Sequence, residues 1–399
     1  MFKLPFIIGK KNFDRFFAIS LDSIIVRVLV FFHDGDQTRI TGFGKAPLQP
    51  GAMRAGNIID GGEVIEAIRE ALDKASRELE YKVNNAIIGL SGDACLELTT
   101  TIKLDRGKKN KITEKEVSQI QDNLIEAAFM QAQNEHLRTT GDSSSNLEIV
   151  TSSNVYTRVD GKVVNEAAGK KGAIIESAIY NAFSTSNHLN MIKKIANKAG
   201  VKLLAVSPYI YSLAQSIKRS TLESSDFVLM DIEGDTTDVG IVFGGGVVAS
   251  KTLNVGFTQF IDGISENMGL TLIESGRVLE TYCAGRLSES EEDIVKKCLE
   301  ETLRIWMEGI ELVFDEFSEV KTFPSKIHVT GKGSTIPDLL NHLKNKPWTK
   351  AIPFKDVPDI RKIEIADMQK VQDATGKIAS TSWVPTTSLS EIYLEIKDD

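Results

Sequence analysis

Four carboxylates, Asp231, Glu233, Asp235 and Asp238, are interleaved with Gly234, Thr236 and Thr237 in the stretch DIEGDTTD. Hydroxyls and backbone N–H groups of such a turn can face an anion, and carboxylates at this spacing can hold a hydrated divalent cation. The chemistry this suggests is a grip on phosphate. Asp231, Gly234, Asp235, Thr236, Thr237 and Asp238 are the binding candidates, and Asp231, Glu233 and Asp238 become metal ligands if magnesium enters with the ligand. The apolar runs Phe227 to Met230 and Val239 to Phe243 flank the turn as buried strands. Gly244-Gly245-Gly246 then leads into a third strand, Val247 to Leu253.

The same unit occurs earlier. Phe16 to Leu21 and Ile24 to Phe32 are apolar runs around Asp22-Ser23, and Asp34-Gly35 turns the chain into Arg39 to Phe43. Ser20, Asp22, Ser23 and Arg27 are the candidates on this copy. A repeat of strand, polar turn, strand, Gly turn and strand, each copy leading into helical segments, predicts two related α/β lobes facing one cleft. Lys326 to Leu340, KIHVTGKGSTIPDLL, adds a strand, a Gly-containing turn and a helix start, with Gly331, Lys332, Gly333 and Ser334 at the turn.

This layout resembles the actin and heat-shock chaperone superfamily, whose paired phosphate loops close on a nucleotide; Lys326 to Leu340 is similar to its adenosine motif. Between helices Glu63 to Glu80 and Asn187 to Ala199 lies an insertion, about Ser91 to Lys171, with ITEKEV at Ile112 to Val117 and VDGKVV at Val159 to Val164. These stretches resemble FtsA, the actin-like cell-division protein, and more loosely its pilus relative PilM. The resemblance implies an α/β actin-like fold, two ribonuclease-H-type lobes around a cleft, with an FtsA-type (SHS2-like) subdomain inserted in the first. The expected division is a leader at 1–12, the first lobe at 13–90 and 172–222, the insert at 91–171, the second lobe at 223–345 and a C-terminal extension at 346–399. A smaller subdomain of the second lobe is expected at about 257–300.

ATP and magnesium are the cofactors the resemblance implies, but the loops depart from the family pattern. The first loop usually reads D-x-G-[ST]; Ser20 and Asp22 stand at its Asp and Gly positions. In the second, DIGGGTTD has become DIEGDTTD, so Glu233 and Asp235 replace glycines. A carboxylate ~4 Å from a phosphate charge costs roughly 4 kcal/mol at an effective dielectric near 20, about a thousandfold in affinity. Ser207 stands where several family ATPases place a glutamate before Pro208. No catalytic residue is assigned. The expected function is an actin-like scaffold in bacterial division or envelope-machine assembly, binding partner proteins and self-assembling, with ATP binding weakened or lost. A slow Mg-ATPase of the FtsA type and a PilM-like component of type IV pilus assembly are the alternatives.

Composition agrees with this. A net charge of −8 without a basic stripe argues against nucleic acid as a partner. Cys95, Cys283 and Cys298 form no metal-ligand or disulfide pattern, as suits a reducing cytoplasm. No apolar run approaches ~20 residues, so no spanning helix is expected. The N-terminus, with Phe2, Leu4, Phe6, Ile7 and Ile8 before Lys10 and Lys11, is the candidate for peripheral contact with the inner face of the membrane. The acidic tail SLSEIYLEIKDD is read instead as docked on the body.

Overall fold

The structure is a computed structural model that describes residues 14–35, 37–218, 222, 225–345 and 347–398. Met1 to Lys11, expected to touch the membrane, lies outside the described residues. In the first lobe, Arg15–Leu21, Ile25–His33 and Thr38–Pro47 form an antiparallel meander. Asn85–Leu90 and Lys202–Pro208 extend it by parallel pairing. The central strands are buried, which is why they read as continuous apolar runs instead of alternating ones.

Helix Gly61–Ser76 lies across this sheet. Asp60 caps it by accepting N–H bonds from Gly62 and Glu63, and Val64, Ile65, Ile68, Ala71, Leu72 and Ala75 form its buried stripe. It stops four residues before the expected Glu80. Gly42 and Gly44 let it approach: a Cβ there would come within 2.2 and 2.0 Å of the Ala75 and Ala71 carbonyl oxygens.

The insert folds as its own layer, a sheet in the order Leu96–Asp105, Ile174–Thr185, Leu147–Val159, Lys162–Val163, covered by helix Glu114–Thr140. The expected capping box forms between Thr113 and Glu116, and Gly141 ends the helix in the left-handed conformation at φ 72°. The expected boundary at Lys171 is too early. Ile174–Thr185 is the central strand of this sheet, pairing with both Leu96–Asp105 and Leu147–Val159, so the insert runs to Thr185.

The second lobe carries a sheet in the order Gly246–Leu253, Thr237–Phe243, Phe227–Ile232, Lys326–Thr330, Asp359–Lys362. Helices Phe257–Met268 and Leu272–Cys283 follow its hairpin, and the long helix Glu289–Asp315 packs behind. Trp306, fully buried on that helix, donates its indole N–H to Thr237 Oγ1 at 2.9 Å.

The segment expected as a C-terminal extension is built into both lobes. Asp359–Lys362 pairs with Lys326–Thr330 in the second sheet, and Val371–Asp373 pairs with Thr38–Ile40 in the first. Helices Val384–Ser388 and Ser390–Asp398 then dock on the first lobe, burying Val384, Leu389, Ile392 and Tyr393, whose ring stacks on Phe16 at 4.6 Å. The apolar side of the tail is occupied by this packing. Among the described residues, no helix is long and apolar enough to cross a membrane.

Candidate functional site

The two hairpin turns meet on the floor of the cleft between the lobes. The strand register places Ser20 opposite Arg27, and this arginine lies within a run of buried apolar neighbours, Val26, Val28 and Leu29. A buried guanidinium requires acidic partners. Arg27 finds them on both hairpins: its Nη1 lies 3.5 Å from Asp22 Oδ2 and 3.2 Å from Glu233 Oε2, with all three side chains almost wholly buried. Burial works to lower the Arg27 pKa, but Glu233 and Asp22 outweigh it, so the net shift is upward and the charge is held.

Asp22 makes a second tie. Its Oδ1 accepts the Gly234 backbone N–H at 2.8 Å across the cleft. That amide sits in the turn whose N–H groups were expected to face phosphate. Its donor is given to the chain's own carboxylate. A Cβ on Gly234 would lie 2.1 Å from Ser23 Oγ and 2.4 Å from Asp22 Oδ1, so the two turns touch with no room for a side chain.

The remaining acids are also engaged within the fold, Asp231 excepted. Asp235 accepts from the Ala55 N–H at 3.2 Å and the Thr258 hydroxyl at 2.7 Å. Asp238 accepts from the Gly92 N–H at 2.9 Å and the Thr252 hydroxyl at 2.7 Å; burial raises its pKa to about 6, with those bonds opposing. Glu233 is taken by Arg27. Asp231 stands apart: it is buried, and among the described residues neither carboxylate oxygen has a hydrogen-bond partner. Burial first, then Asp238 and Asp22, push its pKa well above the usual carboxylate range, with Arg27 opposing. The proposed ligand set Asp231, Glu233 and Asp238 does not converge; among the described residues no three His, Cys, Asp or Glu side chains are placed to hold a metal ion.

Thr236 and Thr237 are buried, and Thr237 gives its hydroxyl to the Val255 carbonyl oxygen at 2.8 Å. At the third motif, Gly331 turns at φ 86° against the Ile232 carbonyl. Gly333 packs on Ile232, where a Cβ would meet its Cγ2 at 2.2 Å. Ser334 binds the Gly331 carbonyl oxygen and Thr381, both at 2.7 Å, so the C-terminal segment lies on this turn. Lys332 pairs with Glu280 at 2.9 Å and lies 5.0 Å over the Phe257 ring. Ser20 is buried beside Asp22.

Two features of this floor were missed in the sequence. Tyr209, after Ser207-Pro208, lays its ring on Gly89, where a Cβ would come within 2.2 Å of it. It fills the volume beside Gly89, two residues after Ser207. The role of Arg27 as the link between hairpins was also missed, although an arginine inside IVRVLVFF signals a buried charge in need of an acid.

No family model matches the chain. It is 20% identical over 237 residues to cell division protein FtsA of Neisseria meningitidis serogroup B (strain ATCC BAA-335 / MC58), covering 59% of this chain and 53% of the relative. It is 20% identical over 287 residues to FtsA of Bacillus subtilis (strain 168), covering 71% of this chain and 61% of the relative. It therefore spans about half to three fifths of the length of these curated relatives. Among solved structures, a chain of the PilM-PilN type IV pilus biogenesis complex superposes with a TM-score of 0.65 at 13% identity, over 96% of this chain and 98% of that one. The fold is therefore actin-like, like that of the PilM chain, and the sequence is distantly similar to FtsA.

Proposed function

We propose that this chain is an actin-like scaffold of bacterial cell division or envelope-machine assembly, that it binds segments of partner proteins, and that its cleft takes ATP weakly or not at all. The observation that carries this reading is the Asp22 carboxylate on the Gly234 amide, with Arg27 tying Asp22 to Glu233. A phosphate entering here would displace a carboxylate from a buried amide and leave Arg27 competing among three anions. Arg27 already has acidic partners and the Gly234 amide an acceptor, so a phosphate at this point must break bonds before it makes them. Calorimetric titration with ATP and magnesium is the test, and a micromolar dissociation constant would overturn the reading.

Asp231 is the one observation that favours a slow Mg-ATPase instead, because a buried carboxyl without a partner can be reserved for a cation. In that case Asp231→Asn would abolish magnesium-dependent nucleotide binding; in the scaffold reading it leaves the weak titration unchanged.

The relatives support a partner-binding role, since one solved neighbour is itself a pilus assembly complex. The insert, an FtsA-type (SHS2-like) subdomain in this reading, supplies the partner or subunit contact, including head-to-tail self-assembly. Replacing residues 92–185 by a Gly/Ser linker, with circular dichroism as a folding control, should change sedimentation or partner capture. Unchanged assembly and partners would remove this role from the insert. The working place is the cytoplasmic face of the membrane, with Met1 to Lys11 making a peripheral contact. Deleting residues 2–11 should abolish flotation on anionic liposomes, whereas flotation that survives the deletion excludes this tether.

A further inference from the structure

Outside the cleft, a cavity of about 720 Å³ opens between the insert and the second lobe. Its walls are the insert strand at Leu96 to Thr99, one side of the insert helix at Gln131 to Thr139, the strand at Val248 to Thr252, and the turn at Glu316 to Val320. Two properties of this space are unusual. The first is charge: Asp93, Glu97, Glu135, Glu316 and Glu319 face it, against Arg138 and Lys251. Both cations are already engaged, Arg138 with Glu135 at 2.6 Å and Lys251 near Glu316 at 3.9 Å. Among the described residues Glu97 has no basic partner. Its oxygens are held only by the neutral hydroxyls of Tyr180 and of Ser250 at 3.4 Å.

The second property is backbone. Leu96–Asp105 and Gly246–Leu253 are both edge strands of their sheets, so each carries backbone groups without a ladder partner. They meet where the Thr99 hydroxyl donates to the Val247 carbonyl oxygen at 2.8 Å, with Gly246 beyond it against Val155. Two strand edges beside one acidic cavity suit an extended peptide, whose main chain pairs with an edge while an alternate side chain enters the pocket.

We propose that this cavity receives an extended, basic segment of a partner protein, with one lysine or arginine side chain reaching the Glu97 carboxylate. This rests on the partner-binding reading above and names the chemistry of the partner. Burial pushes the Glu97 carboxyl up to about 8, with Asp238 adding to it, so a cation beside it favours the ionised form.

The test is an array of fluorescent heptapeptides of β-forming sequence, identical except for arginine, lysine, norleucine or glutamate at the centre, titrated by anisotropy against the full chain. Arginine and lysine peptides are expected to bind at least tenfold more tightly than norleucine, with glutamate weakest. Glu97→Gln should erase that preference. Lys251→Glu, a change at the partly exposed rim, should enhance it and keeps the test open if Glu97→Gln fails to fold. Absence of any preference for the cation overturns the proposal. Equal binding of free acetyl-arginine amide overturns the extended segment. Tight ATP binding alongside a preserved cation preference would fail the scaffold reading and leave this one standing, whereas no preference with no ATP binding does the reverse.

Discussion

The interlobe cleft and the cavity beside the insert are both rich in carboxylates, yet they settle that charge in opposite ways. In the cleft a buried arginine lies between acids contributed by both hairpins, and a backbone amide takes the remaining oxygen of Asp22. In the cavity the arginine and lysine are engaged at the rim, and among the described residues Glu97 keeps only hydroxyl partners. The difference teaches where a ligand can gain free energy. An anion gains little where Arg27 and the Gly234 amide are already bonded, and a cation gains most where a carboxylate lacks one.

The largest expected effect comes from breaking the cleft's compensation. Arg27→Met leaves Asp22 and Glu233 facing each other without their cation, and should cost about 3–5 kcal/mol in urea unfolding. A cost under about 1 kcal/mol would mean that the tie is not structural. Next in size, Asp22→Gly combined with Glu233→Gly frees both the Gly234 amide and Arg27 and should raise ATP affinity by about tenfold or more, near 1.4 kcal/mol. No gain would show that Tyr209 and the packed turns close the cleft without help from charge.

Gly234→Ala sharpens the comparison sterically. The added methyl meets Ser23 and Asp22 on the facing turn, so about 1–3 kcal/mol of destabilisation is expected. A neutral result by thermal or chemical unfolding would indicate that the lobes part easily. On the cavity side the effect is a slope. Glu97 is raised from an ordinary 4.5 to about 8 in the fold, so the folded state holds a proton that the unfolded chain has released. Its contribution is fully present below about pH 4.5 and is lost as pH rises toward 8. Glu97→Gln should remove that part of the decline between pH 5 and 8, measured as the difference between the two unfolding curves. Parallel curves would place Glu97 in a wetter setting.

Local signals made much of this fold legible. The repeated hairpins, the Thr113–Glu116 capping box, the stripe on Gly61–Ser76 and the stop of helix Ser186–Lys198 before Gly200 at φ 87° are decided within a few residues. The apolar run of strand Ile174–Thr185 fits either lobe or insert, and only its pairing with two insert strands decides. In the site, the departures at Ser20, Asp22, Glu233 and Asp235 were visible, but their partners were not. Arg27 and Glu233 are 206 positions apart, and no spacing rule connects them. Repulsion among bare carboxylates is what a sequence suggests when the intervening cation cannot be placed.

The return of the chain from the second lobe to the first sets a condition on how the protein is made. Phe16 lies in the opening strand of the first sheet and its stacking partner Tyr393 lies on the last helix described. During synthesis the first lobe's early strands are out of the ribosome long before Val371–Asp373 and the two helices that cover them. Until then Phe16 and Phe31 lack their cover, and the Thr38–Pro47 edge of the sheet stays open. Closing contacts across such a separation is slow compared with local hairpin formation. The first lobe therefore begins to fold first and finishes last, and the interval between is when this chain would most depend on a chaperone to shield the unfinished face.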